Sequence, residues 1–186
     1  AELDRYYDAV VFSYGASSDR RLGIPGEDLP GSIAATDFVN WYCGHPRAHG
    51  EEMLDALAHA ESVAVIGVGN VAVDVTRVLA KVPSELEATD MPQHVLEALA
   101  ASPVRELHLI GRRGPAQAAF TTKELRELGE LEAVDVIVDP ADVELDPVSA
   151  AAVEGDRVLA RNVEVVSEWS TRELTGRPRR LHVRFL

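Results

Sequence analysis

Alternating strand and helix patterns place this chain in the α/β class, and three observations carry that reading. The apolar run Val63-Ala64-Val65-Ile66 breaks into Gly67-Val68-Gly69-Asn70-Val71-Ala72 and continues with helical spacing. A second run, Leu107-His108-Leu109-Ile110, ends in Gly111-Arg112-Arg113-Gly114. A third, Val134-Asp135-Val136-Ile137-Val138, stops at Asp139-Pro140. Strands separated by helices pair in parallel, which predicts a Rossmann-like parallel sheet with helices on both faces.

The elements follow in order. An apolar strand is expected over 7–14, ended by Gly15-Ala16, and a turn-rich linker follows through Gly23, Pro25, Gly26, Pro30 and Gly31. Thr36 or Asp37 is placed to cap a helix carrying Phe38, Val39, Trp41 and Tyr42, which Gly44 and Pro46 end. A second amphipathic helix covers 51–60, and the strand over 62–66 opens the nucleotide unit. Val71, Val75, Val78 and Leu79 share one face of a helix over 70–82 that Pro83 closes. Short helices over 84–88 and 92–101 lengthen the crossover to a strand over 105–110. A helix over 121–129, a strand over 134–138, a helix over 147–159 and a strand over 181–186 complete the chain.

The first turn carries the chemistry. Gly67 bends the chain tightly, Gly69 lets backbone approach a pyrophosphate, and Ala72 lets the helix lie close to the sheet. The helix beginning near Asn70 then aims unpaired N–H groups and its positive dipole end at an anion. The second strand selects the nucleotide. An acid at its end would accept hydrogen bonds from a ribose 2′-OH and repel a 2′-phosphate, but Arg112 and Arg113 stand there instead. Each offers a fixed fork of donors to phosphate oxygens, which points to NADP over NAD. By itself a GxGxxA turn also occurs in methyltransferases, and an arginine pair after a strand is often a solvated loop.

Composition narrows the class. With 46% hydrophobic and 26% charged residues the chain is an ordinary soluble globular sequence. A net charge of −13 argues against nucleic acid or an anionic membrane as partner. No apolar run is long enough for a membrane helix, no secretion segment leads the chain, and the single cysteine, Cys43, suits a reducing compartment. A cytoplasmic location is expected. Arg172, Arg177, Arg179 and Arg180 read as a solvated basic loop. Cys43, His45 and His49 flank Gly44 and Pro46 and lack a fourth ligand, so no metal site is expected. The other histidines are scattered, and no nucleophile elbow is present.

The chain opens without Met ahead of one apolar run and stops within another, the pattern of an excised middle domain. A resemblance fits this expectation. The segments 7–16, Ile24-Pro25-Gly26-Glu27-Asp28-Leu29-Pro30-Gly31, Gly69-Asn70-Val71-Ala72-Val73-Asp74, Gly111-Arg112-Arg113-Gly114-Pro115 and 120–128 occur in one order. Together they resemble the NADP domain of the adrenodoxin-reductase type of ferredoxin–NADP reductase, in its actinobacterial form. The likeness covers nearly all of the chain up to Pro140 and is looser after it.

That resemblance implies a linker over 1–33 leaving a FAD domain and an NADP-binding domain over 34–186. FAD would bind elsewhere in the polypeptide, since no second GxGxxG is found here. It implies nucleotide contacts from Gly67, Val68, Gly69, Asn70 and Val71 at the pyrophosphate, from Arg112 and Arg113 at the 2′-phosphate, and from Glu124 on the ribose side. Val68 departs from the polar residue frequent in that slot, which a backbone contact tolerates and a side-chain contact would not. Glu127 would stand near the nicotinamide as a proton relay, and ferredoxin would be the electron partner. The alternative for Asp74, Glu124 and Glu127 is a solvated helix carboxylate, which weighs more at Glu127 than at Glu124. Two alternatives stay open: the corresponding domain of another two-nucleotide flavoprotein, such as a glutamate-synthase small-subunit type, and a non-catalytic NADP-binding module.

Overall fold

The computed structural model describes residues 3–12, 19–48 and 50–186. Its centre is a sheet of four parallel strands, β1 (Ser62–Ile66), β2 (Glu106–Gly111), β3 (Val134–Val138) and β4 (Arg179–Phe185), in the order β1-β2-β4-β3. The helices are α1 (Ala35–Tyr42), α2 (Gly50–His59), α3 (Asn70–Ala80), α4 (Pro83–Leu86), α5 (Gln93–Ala101), α6 (Thr122–Gly129), α7 (Pro147–Gly155) and α8 (Arg157–Ser170). This is the expected α/β, Rossmann-like architecture, a parallel sheet with helices around it.

Strand periodicity divides the sheet into two unlike faces. Val65, Leu107, Leu109, Leu181, Val183, Phe185, Val134, Val136 and Val138 alternate onto one face and are all buried. There α3 packs on β1 and β2, while α6 and α8 pack on β3. The opposite face places Ala64, His108, His182 and Ile137 side by side in one register row, and these are half-buried or exposed. His108 and His182 stack at 4.8 Å, and Glu106 accepts from His182 Nε2 at 2.9 Å. The helical cover is therefore unequal between the two faces.

Several elements differ from expectation for physical reasons. The run over 7–12 joins no ladder among the described residues, since a strand exists only where a neighbour pairs with it, and Val11 and Phe12 are 86% and 75% exposed. Ser13, Tyr14, Gly15 and Ala16 lie outside the described residues. The residue before α1 is Ala34, which offers no cap; the carboxylate of Asp19 accepts from Thr36 N–H at 2.9 Å instead. Pro83 opens α4 in place of merely ending α3, as its fixed φ suits a first helical turn. The single helix expected over 147–159 is two. Asp156 ends α7 and caps α8 by accepting from Val158 N–H at 2.7 Å and Leu159 N–H at 3.2 Å. From there α8 runs to Ser170, burying Asn162, Val165, Val166 and Trp169 on one face.

The late arginines are not a solvated cluster. Arg179 and Arg180 begin β4. The guanidinium of Arg179 donates to the carbonyls of Leu79, Ala80 and Lys81 at 3.0, 3.1 and 3.0 Å, closing the end of α3. Arg177 donates to the Val134 carbonyl at 2.9 Å and also to that of Leu131. Arg180 pairs with Glu106 at 2.5 Å, and Arg172 with Glu168 at 2.9 Å. Beside them, Asp135 accepts from the N–H groups of Thr175, Gly176 and Arg177 and from the Thr175 hydroxyl, at 2.7 to 3.1 Å.

Candidate functional site

The site forms where β1 and β2 end side by side. Ile66 is in register with Ile110, and Gly67 N–H donates to the Ile110 carbonyl at 2.8 Å as the chain leaves the sheet. Gly67 then takes φ +136°, a conformation that side chains disfavour. Gly69 has φ −110° and sits at the N-cap of α3, where no side chain caps the helix. A Cβ there would meet nothing within 4 Å. Space beside the backbone and uncapped helical N–H groups together suit an approaching anion.

The Val68 side chain lies against the sheet, not the open side of the turn. A Cβ on Gly111 would stand 2.9 Å from one Val68 methyl and 3.2 Å from the other, so the glycine at the end of β2 is what lets the turn settle there. The Val68 carbonyl accepts from Ala119 N–H at 2.8 Å. What Val68 has left to offer a ligand at its backbone is its N–H.

Arg112 and Arg113 follow Gly111 directly and are exposed. Neither forms a hydrogen bond or ion pair with another described residue. Behind them the 3-10 turn Pro115–Gln117 is braced by Gln117, which donates to the Ser149 hydroxyl at 3.0 Å. The neighbouring loop is held in turn by α8: Asn162 donates to the Phe120 carbonyl at 3.1 Å and accepts from the Thr122 hydroxyl at 2.6 Å.

Helix α6 enters beside α3. The Asn70 side-chain carbonyl accepts from Thr121 N–H at 2.9 Å, and Thr121 caps α6 through Glu124 N–H at 3.4 Å. Residues rise together along both helices, so α3 and α6 run in the same direction and bring both N-termini to the carboxyl ends of the strands. Ligands of open α/β sheets bind at that edge. Further along, Glu124 accepts from Arg77 Nη1 at 2.9 Å, and Glu127 and Asp74 bond the same guanidinium.

The turn of Gly67, Val68, Gly69, Asn70 and Val71, the pair Arg112 and Arg113, and Glu124 thus come from adjoining pieces of one edge. Glu127 lies one turn beyond Glu124 on α6. The four acids and bases Asp74, Arg77, Glu124 and Glu127 form one cluster, of which sequence reasoning named the three carboxylates and missed the arginine. The signal was Arg77 three residues after Asp74, an ion-pair spacing on a helix. Cys43 is exposed, His49 lies outside the described residues, and among those described no group of three His, Cys, Asp or Glu is arranged to hold a metal. No described helix is long and apolar enough to cross a membrane.

Comparison with known proteins agrees with this geometry. No family model matches the chain. It is 51% identical over 188 residues to the NADPH-ferredoxin reductase FprA of Mycobacterium tuberculosis, covering 100% of this chain and 40% of that protein. It is 41% identical over 168 residues to the mitochondrial NADPH:adrenodoxin oxidoreductase of Arabidopsis thaliana, covering 90% of this chain and 34% of the relative. The solved structure of Mycobacterium tuberculosis FprA in complex with NADPH superposes with a TM-score of 0.85 at 48% identity, over 100% of this chain and 40% of that one. The chain thus spans about two fifths or less of these relatives' length, and within that span it is similar to them in both sequence and fold.

Proposed function

We propose that this chain binds NADP(H) as the nucleotide domain of a flavin-dependent ferredoxin–NADP reductase. The observation that carries it is the pairing of an uncapped helix start at Gly69 with two exposed guanidinium groups at the neighbouring strand end that bond no other described residue. The backbone turn would take the pyrophosphate, Arg112 and Arg113 the 2′-phosphate, and Glu124 the ribose hydroxyls. The domain comprises 34–186, and 1–33 is the stretch that joins it to a flavin domain.

NADPH would supply a hydride and FAD would accept it, passing electrons singly to a ferredoxin. The residues here bind and orient the donor, since the cofactors carry that chemistry. Glu127, one helical turn from Glu124, would hold or release a proton near the nicotinamide. The reaction would run in the cytoplasm. Titration of the chain with NADPH and NADH tests the reading: tight NADPH binding at least about a hundredfold above NADH is expected from two charge-assisted contacts, and equal affinity would refute it.

A further inference from the structure

The cation at the centre of the acidic cluster has no part in the function above. Arg77 lies seven residues beyond Asn70 on α3, about 10 Å along the helix axis. Its guanidinium bonds Glu124 at 2.9 Å, Glu127, and Asp74 on its own helix. Its side chain is 21% exposed, against 25% and 35% for Glu124 and Glu127. The other cation in reach, Lys123, stands 3.9 Å from Glu127 and is 82% exposed, so its charge is largely screened. Tyr42 of α1 borders the cluster: burial, then Cys43 and Asp74, raise its hydroxyl's pKa while Arg77 lowers it. One guanidinium therefore balances three carboxylates beneath a site expected to receive a polyanion.

We propose that Arg77 is the positioning residue of this site: it clasps α6 to α3 through Glu124 and Glu127 and neutralises the acids that would otherwise repel the phosphates of NADPH. The inference rests on the nucleotide reading above and adds to it the residue that makes an acidic helix pair tolerant of an anion. Two clasps then hold the helices, Asn70 with Thr121 at their starts and Arg77 with the glutamates two turns on. Loss of the first would loosen geometry; loss of the second would also leave three carboxylates facing one another. Unlike a purely structural bond, that second effect carries a charge signature. It fades with salt, because the separation is comparable to the Debye length of about 8–10 Å at 0.1–0.15 M.

The test uses the whole 186-residue chain, with NADPH and NADH as probes. In low salt Arg77→Gln is expected to weaken NADPH binding about tenfold, falling to about threefold near 0.5 M salt, with a smaller loss for the less charged NADH. Arg77→Lys should stay within about threefold of the parent, because the charge persists where the fork does not. Adding Glu127→Gln to Arg77→Gln should restore about threefold of the loss, as expected for coupled charges and not for independent damage. If Arg77→Gln does not fold by circular dichroism, Glu127→Gln alone supplies the test, with about twofold tighter NADPH binding expected in low salt. A parent chain that binds no NADPH overturns the nucleotide reading and this inference with it. A parent that binds, with a folded Arg77→Gln of equal affinity or a Glu127→Gln that binds no tighter, overturns this inference alone.

Discussion

Gly67 and Gly69 sit two residues apart yet serve different ends, and substituting each by alanine separates folding from binding. Gly67 holds φ +136°, while its hypothetical Cβ would meet only the Ala72 Cβ at 3.7 Å, an ordinary contact. The cost of Gly67→Ala is therefore backbone strain alone, on the order of 1–3 kcal/mol. At roughly 2–4 °C per kcal/mol for a chain of this size, the melting temperature should fall by about 2–12 °C. Gly69 has φ −110° and open space where its Cβ would go. There alanine loses about 0.5 kcal/mol as an N-cap, and a stiffer unfolded chain returns about as much. Gly69→Ala should melt within about 2 °C of the parent. The added methyl, however, occupies the space through which a pyrophosphate would approach, and a loss of tenfold or more in NADPH affinity, about 1.4 kcal/mol, is expected. Thermal melts and NADPH titrations of both variants decide the matter. Parent-like affinity in Gly69→Ala, or a parent-like melting temperature in Gly67→Ala, would refute the division of labour.

Three further outcomes are expected. Arg112→Ala combined with Arg113→Ala should leave the melting temperature unchanged, because neither side chain bonds another described residue. The same variant should lose about a hundredfold of the preference for NADPH over NADH in competitive titrations. Arg179→Met should destabilise the fold by about 2–3 kcal/mol in urea unfolding, since three carbonyls at the end of α3 lose a charged donor. Asp135 gives a pH dependence: burial pushes its carboxyl up, but the bonds from Thr175, Arg177 and Gly176 outweigh that and hold it at about 2. Against an unfolded value of about 3.9, this stabilisation is complete above that value and lost as pH falls through about 2. Asp135→Asn should flatten the stability lost between pH 5 and pH 2.5, measured by urea midpoints; an unchanged slope would remove Asp135 from the account.

Much of the fold was legible because its signals are local. The bounds expected for β3 match those found, since Asp139-Pro140 ends an apolar run that nothing else in the neighbourhood competes with. The glycine turn and the start of α3 were equally readable, because the backbone conformation at Gly67 restricts residue choice. Failures came where a partner distant in sequence decides. The run over 7–12 has strand composition but lies outside the ladder, and composition alone cannot supply a neighbour. The cap of α1 comes from Asp19, seventeen residues before Thr36. Arg177, Arg179 and Arg180 looked like loop charges because their acceptors, backbone carbonyls and Glu106, lie 43 to 100 residues away in sequence. The division at Asp156 was readable and missed: Gly155 followed by Asp156 joins a helix-ending residue to a helix-starting one. In the site, Glu124 and Glu127 were visible as one helical face and Asp74 as a residue of the helix after the glycine turn, but which cation they meet depends on how α6 lies against α3.

The seating of Val68 over Gly111 reaches past this one chain. Two positions far apart in sequence share a single small volume, so neither is free to change alone: a methyl added at 111 would collide with the branch at 68. Among homologous sequences the two columns should covary, bulk at one accompanying its lack at the other. For protein engineers the lesson is that alanine at the strand's end needs a smaller residue in the turn and a small shift of the Phe185 ring, which stands 3.2 Å from the same volume.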